Sequence, residues 1–443
     1  MGKKENDDQD RKKRFLKILE DKEEHLDRVI SSEKTDPIGL LELQLKIAEE
    51  LMAIERKLEG VKILQITKEE KAALKEAYQY DLKTFRILGD ALAWMFVKPY
   101  SIRQHVKHSP FSKYLISQKR AFDSTVSSAR HISEKYGEHV LINDLTNCLR
   151  IADLSVCRPG ECRLIEVKSI ENEEELTEKF IRHAERQIKR MEGFDKLHGD
   201  AAALEGDELR KTFDDYQTGN FILTRDGTKR TVSLSEQTTF APELNDALKE
   251  VRKDDKDRFI TFDGITGYLL NTVSEERIQR LISEGGVHPS KEQLAFMENA
   301  GSIASIDMFS RHADYPEIPP LPNLFGNEIA TDLIFGDLMI TTILNSNKMA
   351  GYLETRGIEV NTTSEKHFWK THKYKIDGST ALLGYPLRHI IYAAHTTEYL
   401  ANYCIESHES SKKFIEKILA ENPGSKYIDV LGDSDDEDSP NTP

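Results

Sequence analysis

Apolar residues recur at three- and four-residue spacing through "DPIGLLELQLKIAEELMAIERKLEG", which predicts a helix with Asp36 as N-cap, Pro37 in its first turn and Gly60 as its stop. The same period runs through "TKEEKAALKEAYQYDLKTFRILGDALAWMFVKP", where Thr67 and Glu70 form a capping box and the helix ends before Pro99. The first 100 residues are therefore expected to be helical, arranged as an antiparallel pair. In "SQKRAFDSTVSSARHISEKYG", Phe122, Val126, Ala129 and Ile132 fall on one helical face and Gly137 is the stop. The period then drops to two. "HVLINDL", "LRIADLSVC" and "CRLIEVKS" read as three strands, and a capped helix, "NEEELTEKFIRHAERQIKRMEGF", follows from Asn172.

Downstream, "GNFILTRDGTKRTVSLSE" carries a hairpin signal at Asp226-Gly227, and "RFITFDGITGYLLN" is a further strand region with Asp263 as a turn residue. Beyond Pro319, "PPLPN" reads as a hinge, and "DVLGDSDDEDSPNTP" as a solvated acidic tail. No internal repeat is visible. The pattern divides the chain into a helical region (1–100), an α/β core (101–275), a mixed, mainly helical region (276–425) and an acidic, disordered tail (426–443). The fold class expected is α+β or α/β.

Composition narrows the function classes. The 443 residues carry a formal net charge of -15 on a background of 31% charged residues, so no global basic surface advertises nucleic acid, and any such site is a local patch. Four cysteines are too few for a disulfide framework in a chain of this length and suit a reducing compartment. The start, "MGKKENDDQDRKKRF", lacks the apolar stretch of a secretory signal, and no apolar run approaches the roughly 18 residues of a membrane span. A cytoplasmic protein with no membrane association is expected.

The chemistry concentrates in "IADLSVCRPGECRLIEVKS", Ile151 to Ser169. If the turn is centred on Pro159-Gly160, Arg158 faces Glu161, Cys157 faces Cys162, Asp153 faces Glu166 and Ile151 faces Lys168. One face then carries Asp153, Ser155, Glu166 and Lys168. The other carries Ala152, Leu154, Val156, Ile165 and Val167, a core face by period-two alternation. Two carboxylates directly across a strand pair repel each other unless a proton, a cation or a lysine relieves them. A hard divalent cation such as Mg²⁺ (or Mn²⁺) takes carboxylate oxygens and leaves positions open for a phosphate oxygen. Such an ion polarises the phosphoryl group and activates a bound water, while a nearby lysine stabilises developing charge.

Asp153 followed by Glu166-Val167-Lys168, on the second and third strands of a helix, three-strand, helix unit, resembles the PD-(D/E)XK nuclease superfamily over roughly residues 115 to 195. The resemblance implies a restriction-endonuclease-like core, catalytic Asp153, Glu166 and Lys168, and metal ligation by Asp153 and Glu166. It also implies a glutamine on the following helix. Gln187 fits, since Leu176, Phe180, Ala184, Gln187 and Met191 share one helical stripe. Glu134 lies on the preceding helix, where members often carry a glutamate, but off its apolar face. By analogy with the superfamily the substrate is nucleic acid, DNA before RNA, and the setting a prokaryotic defence effector. A second copy or a protein partner is expected on the helical N-terminal region.

Two other readings stay open. In one, the chain is a non-catalytic interaction or scaffold protein whose hairpin has a solvated polar face, with Lys168 simply pairing Glu166. In the other, the same metal serves hydrolysis of a different phosphoester. Cys157 and Cys162 lack a second Cys or His pair at zinc spacing and read as reduced, half-buried structural thiols. "HFWKTHKYK", His367 to Lys375, interleaves aromatic and basic residues, either as a base-stacking surface or as an edge strand. His389, His395 and Glu398 do not make a metal motif, because a six-residue histidine spacing does not share a helix face.

Overall fold

Helix α1 (Gly2–Ser32) opens the computed structural model, in which residues 2–32, 36–97, 102, 106, 116, 122–149, 151–158, 161–167, 239–273, 290–297, 303–307, 320–362, 372–376, 379–382, 396–402, 404–405 and 408–409 are described. Helices α2 (Pro37–Gly60) and α3 (Lys68–Phe96) follow. Their starts are those read from the sequence. The Asp36 carboxylate accepts the Gly39 N–H at 2.9 Å. Thr67 and Glu70 cap each other at 2.9 and 3.2 Å, satisfying two N–H groups that no helical carbonyl reaches. Helix α2 ends at Gly60 as expected, though in a right-handed conformation with φ -59°, from which the chain tightens into a 3-10 turn over Val61–Ile63.

The N-terminal region has three long helices rather than an antiparallel pair. In α1 the buried positions Phe15, Ile18, Leu19, Lys22, His25 and Leu26 make one stripe at helical spacing, hidden in the sequence among charged neighbours.

Helix α4 (Phe122–Tyr136) buries Phe122 and Ala129, with Val126 and Ile132 packed alongside. Gly137 ends it at φ +66°, a left-handed conformation that glycine adopts without penalty. Strands β1 (His139–Ile142), β2 (Leu154–Arg158) and β3 (Glu161–Ile165) then form an antiparallel sheet in the order β1-β2-β3. Helix α2 lies against β1 and completes its outer edge. The Gln44 amide donates to the Val140 carbonyl and accepts the Ile142 N–H, both at 2.7 Å. A side chain thus stands in for a neighbouring strand, and this part of the edge is closed to further pairing.

The chain continues through α5 (Ala241–Asp254), β4 (Arg258–Thr261), β5 (Thr266–Thr272), α6 (Lys291–Met297), β6 (Ile303–Asp307), α7 (Leu321–Leu324), α8 (Asn327–Phe335), β7 (Leu338–Asn345) and α9 (Ser346–Thr355). Strands β8 (Glu359–Thr362), β9 (His372–Ile376) and β10 (Ser379–Leu382) follow. Two more antiparallel sheets result, β4-β5-β7-β6 and β8-β9-β10. Among its described residues, the region expected to be mainly helical therefore holds five strands, β6 to β10. Asp263 turns the chain between β4 and β5 as expected, its Oδ1 accepting the Ile265 and Thr266 N–H groups at 2.9 and 2.8 Å.

"PPLPN" is not a hinge. Pro320 caps α7 and Pro322 sits in its first turn, where a missing N–H costs nothing, and Leu321 through Leu324 are buried. Asn323 donates to the Ala91 carbonyl of α3 at 3.3 Å. Nor is β9 an edge strand, since β8 and β10 flank it. One cluster of buried side chains runs from Phe15 to Tyr399 and crosses the divisions expected at 100 and 275. Phe15 alone meets Phe85 of α3 and Phe335 of α8 edge-on, at 5.6 and 5.4 Å. The architecture is α+β, with small antiparallel sheets set among helices.

Candidate functional site

The β2–β3 hairpin has the register counted from the sequence, Leu154 opposite Ile165, Cys157 opposite Cys162 and Arg158 opposite Glu161. The strand ladder ends at Leu154 and Ile165, so the expected pair of Asp153 with Glu166 falls just past its last pair, where neither residue is in a strand. Two hydrogen bonds join the two arms there. The Asp153 N–H donates to the Ile165 carbonyl at 3.1 Å, and the Val167 N–H donates to Asp153 Oδ2 at 2.8 Å. The pairing expected of Ile151 with Lys168 falls past Val167, the last described residue of this segment. Lys168 and Gln187 lie outside the described residues, as do Pro159, Gly160 and the helix expected from Asn172.

Just before β2 begins at Leu154, Ala152 is held at φ +63°, an uncommon conformation for a residue with a Cβ. Asn143 holds it there. Its Nδ2 donates to the carbonyls of Ile151 and Ala152 at 2.8 and 3.3 Å, while its Oδ1 accepts the Ser155 hydroxyl at 2.9 Å. Its own N–H donates to the Asp153 carbonyl at 3.0 Å. One side chain thereby folds the β1–β2 connection back over the sheet.

That fold corrects the expectation of a solvated polar face. Ser155 is 0% exposed, and Leu164 opposite it packs with Ile151 and Ala152. Both faces of the central strand are covered. At the open end of the hairpin Asp153 and Glu166 are half-buried, and along β3 Arg163 is exposed. Glu134 is exposed on α4 and pairs with Arg130 at 3.9 Å.

Beneath the connection sits a group of residues that the sequence reading passed over. Asp90 of α3 is buried and accepts the Asn147 N–H at 2.6 Å, the Asn147 side-chain amide at 2.7 Å and the Cys148 N–H at 2.9 Å. Burial pushes its carboxyl up from the ordinary range, against the pull of those hydrogen bonds. Gly89 makes the close approach possible, because a Cβ there would lie 2.1 Å from the Leu145 carbonyl oxygen. Arg86, also buried, faces Glu55, Asp144 and Asp90. The signal was a lone aspartate and a glycine inside the apolar run "RILGDALAWMF".

The donor set at the hairpin's open end is two carboxylates, hard oxygen ligands that suit Mg²⁺ or Mn²⁺ and not a soft thiophilic ion. Among the described residues no group of three His, Cys, Asp or Glu side chains converges. His389, His395 and His367 to Thr371 fall outside the described residues; His372 to Lys375 lie in β9. No helix among the described residues is long and apolar enough to cross a membrane. Compared with family models, curated proteins and solved structures, the chain shows no match.

Proposed function

We propose that this chain is a metal-dependent nuclease that hydrolyses phosphodiester bonds in DNA, with a restriction-endonuclease-like core and Asp153 and Glu166 as the carboxylates that hold Mg²⁺ or Mn²⁺. The observation that supports this most is the hairpin register from Leu154–Ile165 to Arg158–Glu161, which brings Asp153 and Glu166 to the open end of a sheet preceded by α4. When bound, the metal supplies phosphoryl polarisation and a more acidic water. The chain supplies the positioning. The Val167 N–H orients the Asp153 carboxylate, and the Ala152 conformation fixed by Asn143 places Asp153 at the strand end. Lys168, two residues beyond Glu166, is assigned charge stabilisation on the phosphate, and Gln187 the orientation of a ligand or water. The remaining regions suit a cytoplasmic defence effector that acts on foreign DNA under restraint.

Purified protein with Mg²⁺ or Mn²⁺ is expected to cut plasmid or linear DNA on a gel. Lys168→Ala and Glu166→Ala abolish cutting while the fold persists, because removing one member of a group that acts as a unit costs nearly as much as removing all of it. Cleavage that survives EDTA, or an active Lys168→Ala protein, overturns the mechanism.

One observation favours the rival reading of a non-catalytic interaction protein. The Asp153 carboxylate already accepts the Val167 N–H, as a residue that merely closes the base of a hairpin would. Calorimetry separates the two. Divalent metal binding that disappears in Glu166→Ala belongs to the nuclease reading, and no binding in the wild type belongs to the other.

A further inference from the structure

At the other end of the same hairpin, Cys157 and Cys162 are directly opposite in the register, with their sulfur atoms 3.8 Å apart and both thiols free. Directly opposite residues in an antiparallel pair have Cβ atoms about 4.5–5.5 Å apart, and a disulfide needs about 3.5–4.5 Å. Bond formation thus requires little movement. The partners are also close in sequence, so closure leaves the strand order unchanged. Exposure divides the pair: Cys157 is buried, at 3%, whereas Cys162 is half-buried. Cys148 is buried in the β1–β2 connection, and Cys404 belongs to a separate cluster of buried side chains.

We propose that Cys157 and Cys162 form an oxidisable cross-strand dithiol, which a peroxide converts into an intrachain disulfide that locks β2 to β3. The Cys162 sulfur, the accessible one, attacks a peroxide oxygen: an S–O bond forms, the O–O bond breaks, and the departing oxygen takes up a proton to leave as water. The Cys157 sulfur then displaces the second oxygen. An S–S bond forms, the S–O bond breaks and a second water leaves. Two thiols are oxidised by two electrons and one hydrogen peroxide is reduced to two waters, and a small dithiol reverses the change. The hydrogen bond with Cys162 and then burial push the Cys157 thiol well up, so Cys157 keeps its proton and acts second. This chemistry does not depend on what the far end of the hairpin binds.

The test uses the full chain, treated with hydrogen peroxide, unfolded, alkylated and digested. Trypsin does not cut between Arg158 and Pro159, so residues 151–163 emerge as one peptide holding both cysteines. The expected product is that peptide unalkylated and two hydrogens lighter, restored to a doubly alkylated form by dithiothreitol. A glutamate-specific protease, cutting after Glu161, leaves the two halves joined only if the disulfide exists. Oxidation is also expected to raise the melting temperature of the wild type but not of Cys162→Ser. Both cysteines alkylated after peroxide, Cys162 recovered as a sulfinic acid beside an alkylated Cys157, or a Cys162-linked dimer would each overturn the proposal.

Discussion

Asp90 and Asp332 are both sealed from solvent, at 4% exposure each, and they are held in opposite ways. Asp90 joins α3 to the β1–β2 connection through three neutral donors, two of them backbone N–H groups. Asp332 of α8 joins α1 and α5 through two cations, Lys12 at 2.5 Å and the Arg252 Nε at 2.8 Å. Those cations also reach Asp337 and Glu328. The difference follows from depth. Side chains of Lys12 and Arg252 are 30% and 44% exposed, so their charged heads stay near water while they bond inward. Around Asp90 there is no such outlet, and the adjoining connection is buried from Thr146 to Leu149. Around Asp90 the fold is fixed by directional hydrogen bonds in a dry setting, and around Asp332 by ions that water partly screens.

The sharpest way to break this contrast is Asp90→Ala. It removes the Asp90 acceptor from the buried N–H groups of Asn147 and Cys148 and leaves the Asn147 amide with the Lys83 carbonyl at 3.3 Å, and a loss of about 3 kcal/mol in urea unfolding is expected. Loss below about 1 kcal/mol would mean that solvent reaches the connection after all.

A smaller effect is expected at the ionic joint. Asp332→Ala frees Lys12 and Arg252 to keep Asp337 and Glu328 as partners and to reach water, so the cost is about 1–2 kcal/mol. That cost is expected to shrink in about 1 M NaCl, where exposed charges are screened within a few ångströms, whereas the Asp90→Ala cost persists. Equal salt sensitivity of the two variants would erase the distinction.

These contacts also mark where reading the sequence succeeded. The hairpin register, the caps at Asp36 and at Thr67 with Glu70, and the stop at Gly137 are set by residues within a few positions of one another, and each was legible. Contacts over long separations were not. Nothing in "PPLPN" alone says that Asn323 reaches Ala91, and nothing in the charged start says that Phe15 joins Phe85 to Phe335. For the candidate site, the register from Leu154–Ile165 to Arg158–Glu161, which leads up to Asp153 and Glu166, was legible because period two and one turn suffice to count it. That Ser155 beside them is buried was not, because the cover is the chain's own connection, pinned by Asn143 and Asp90. A single polar residue ending an apolar strand, as Asn143 does, is the local trace of such a fold.

The smallest effect tests the electrostatic state of the two aspartates directly. Because burial outweighs the hydrogen bonds, the folded pKa of Asp90 lies above its ordinary 3.8. A carboxyl shifted in this direction adds stability in its protonated form. That contribution is complete below the unfolded value and is lost as pH rises through the folded one. Asp90→Asn keeps the shape but cannot titrate. Its penalty relative to wild type is therefore expected to be greatest below the ordinary value of 3.8 and to fall as pH rises through the folded value. Denaturant midpoints of the two proteins across that range measure it, with acid effects common to both cancelling in the difference. A penalty that grows with pH would show that Asp90 is held as a carboxylate, which would put it in the same class as Asp332 and leave depth of burial without the role given to it here.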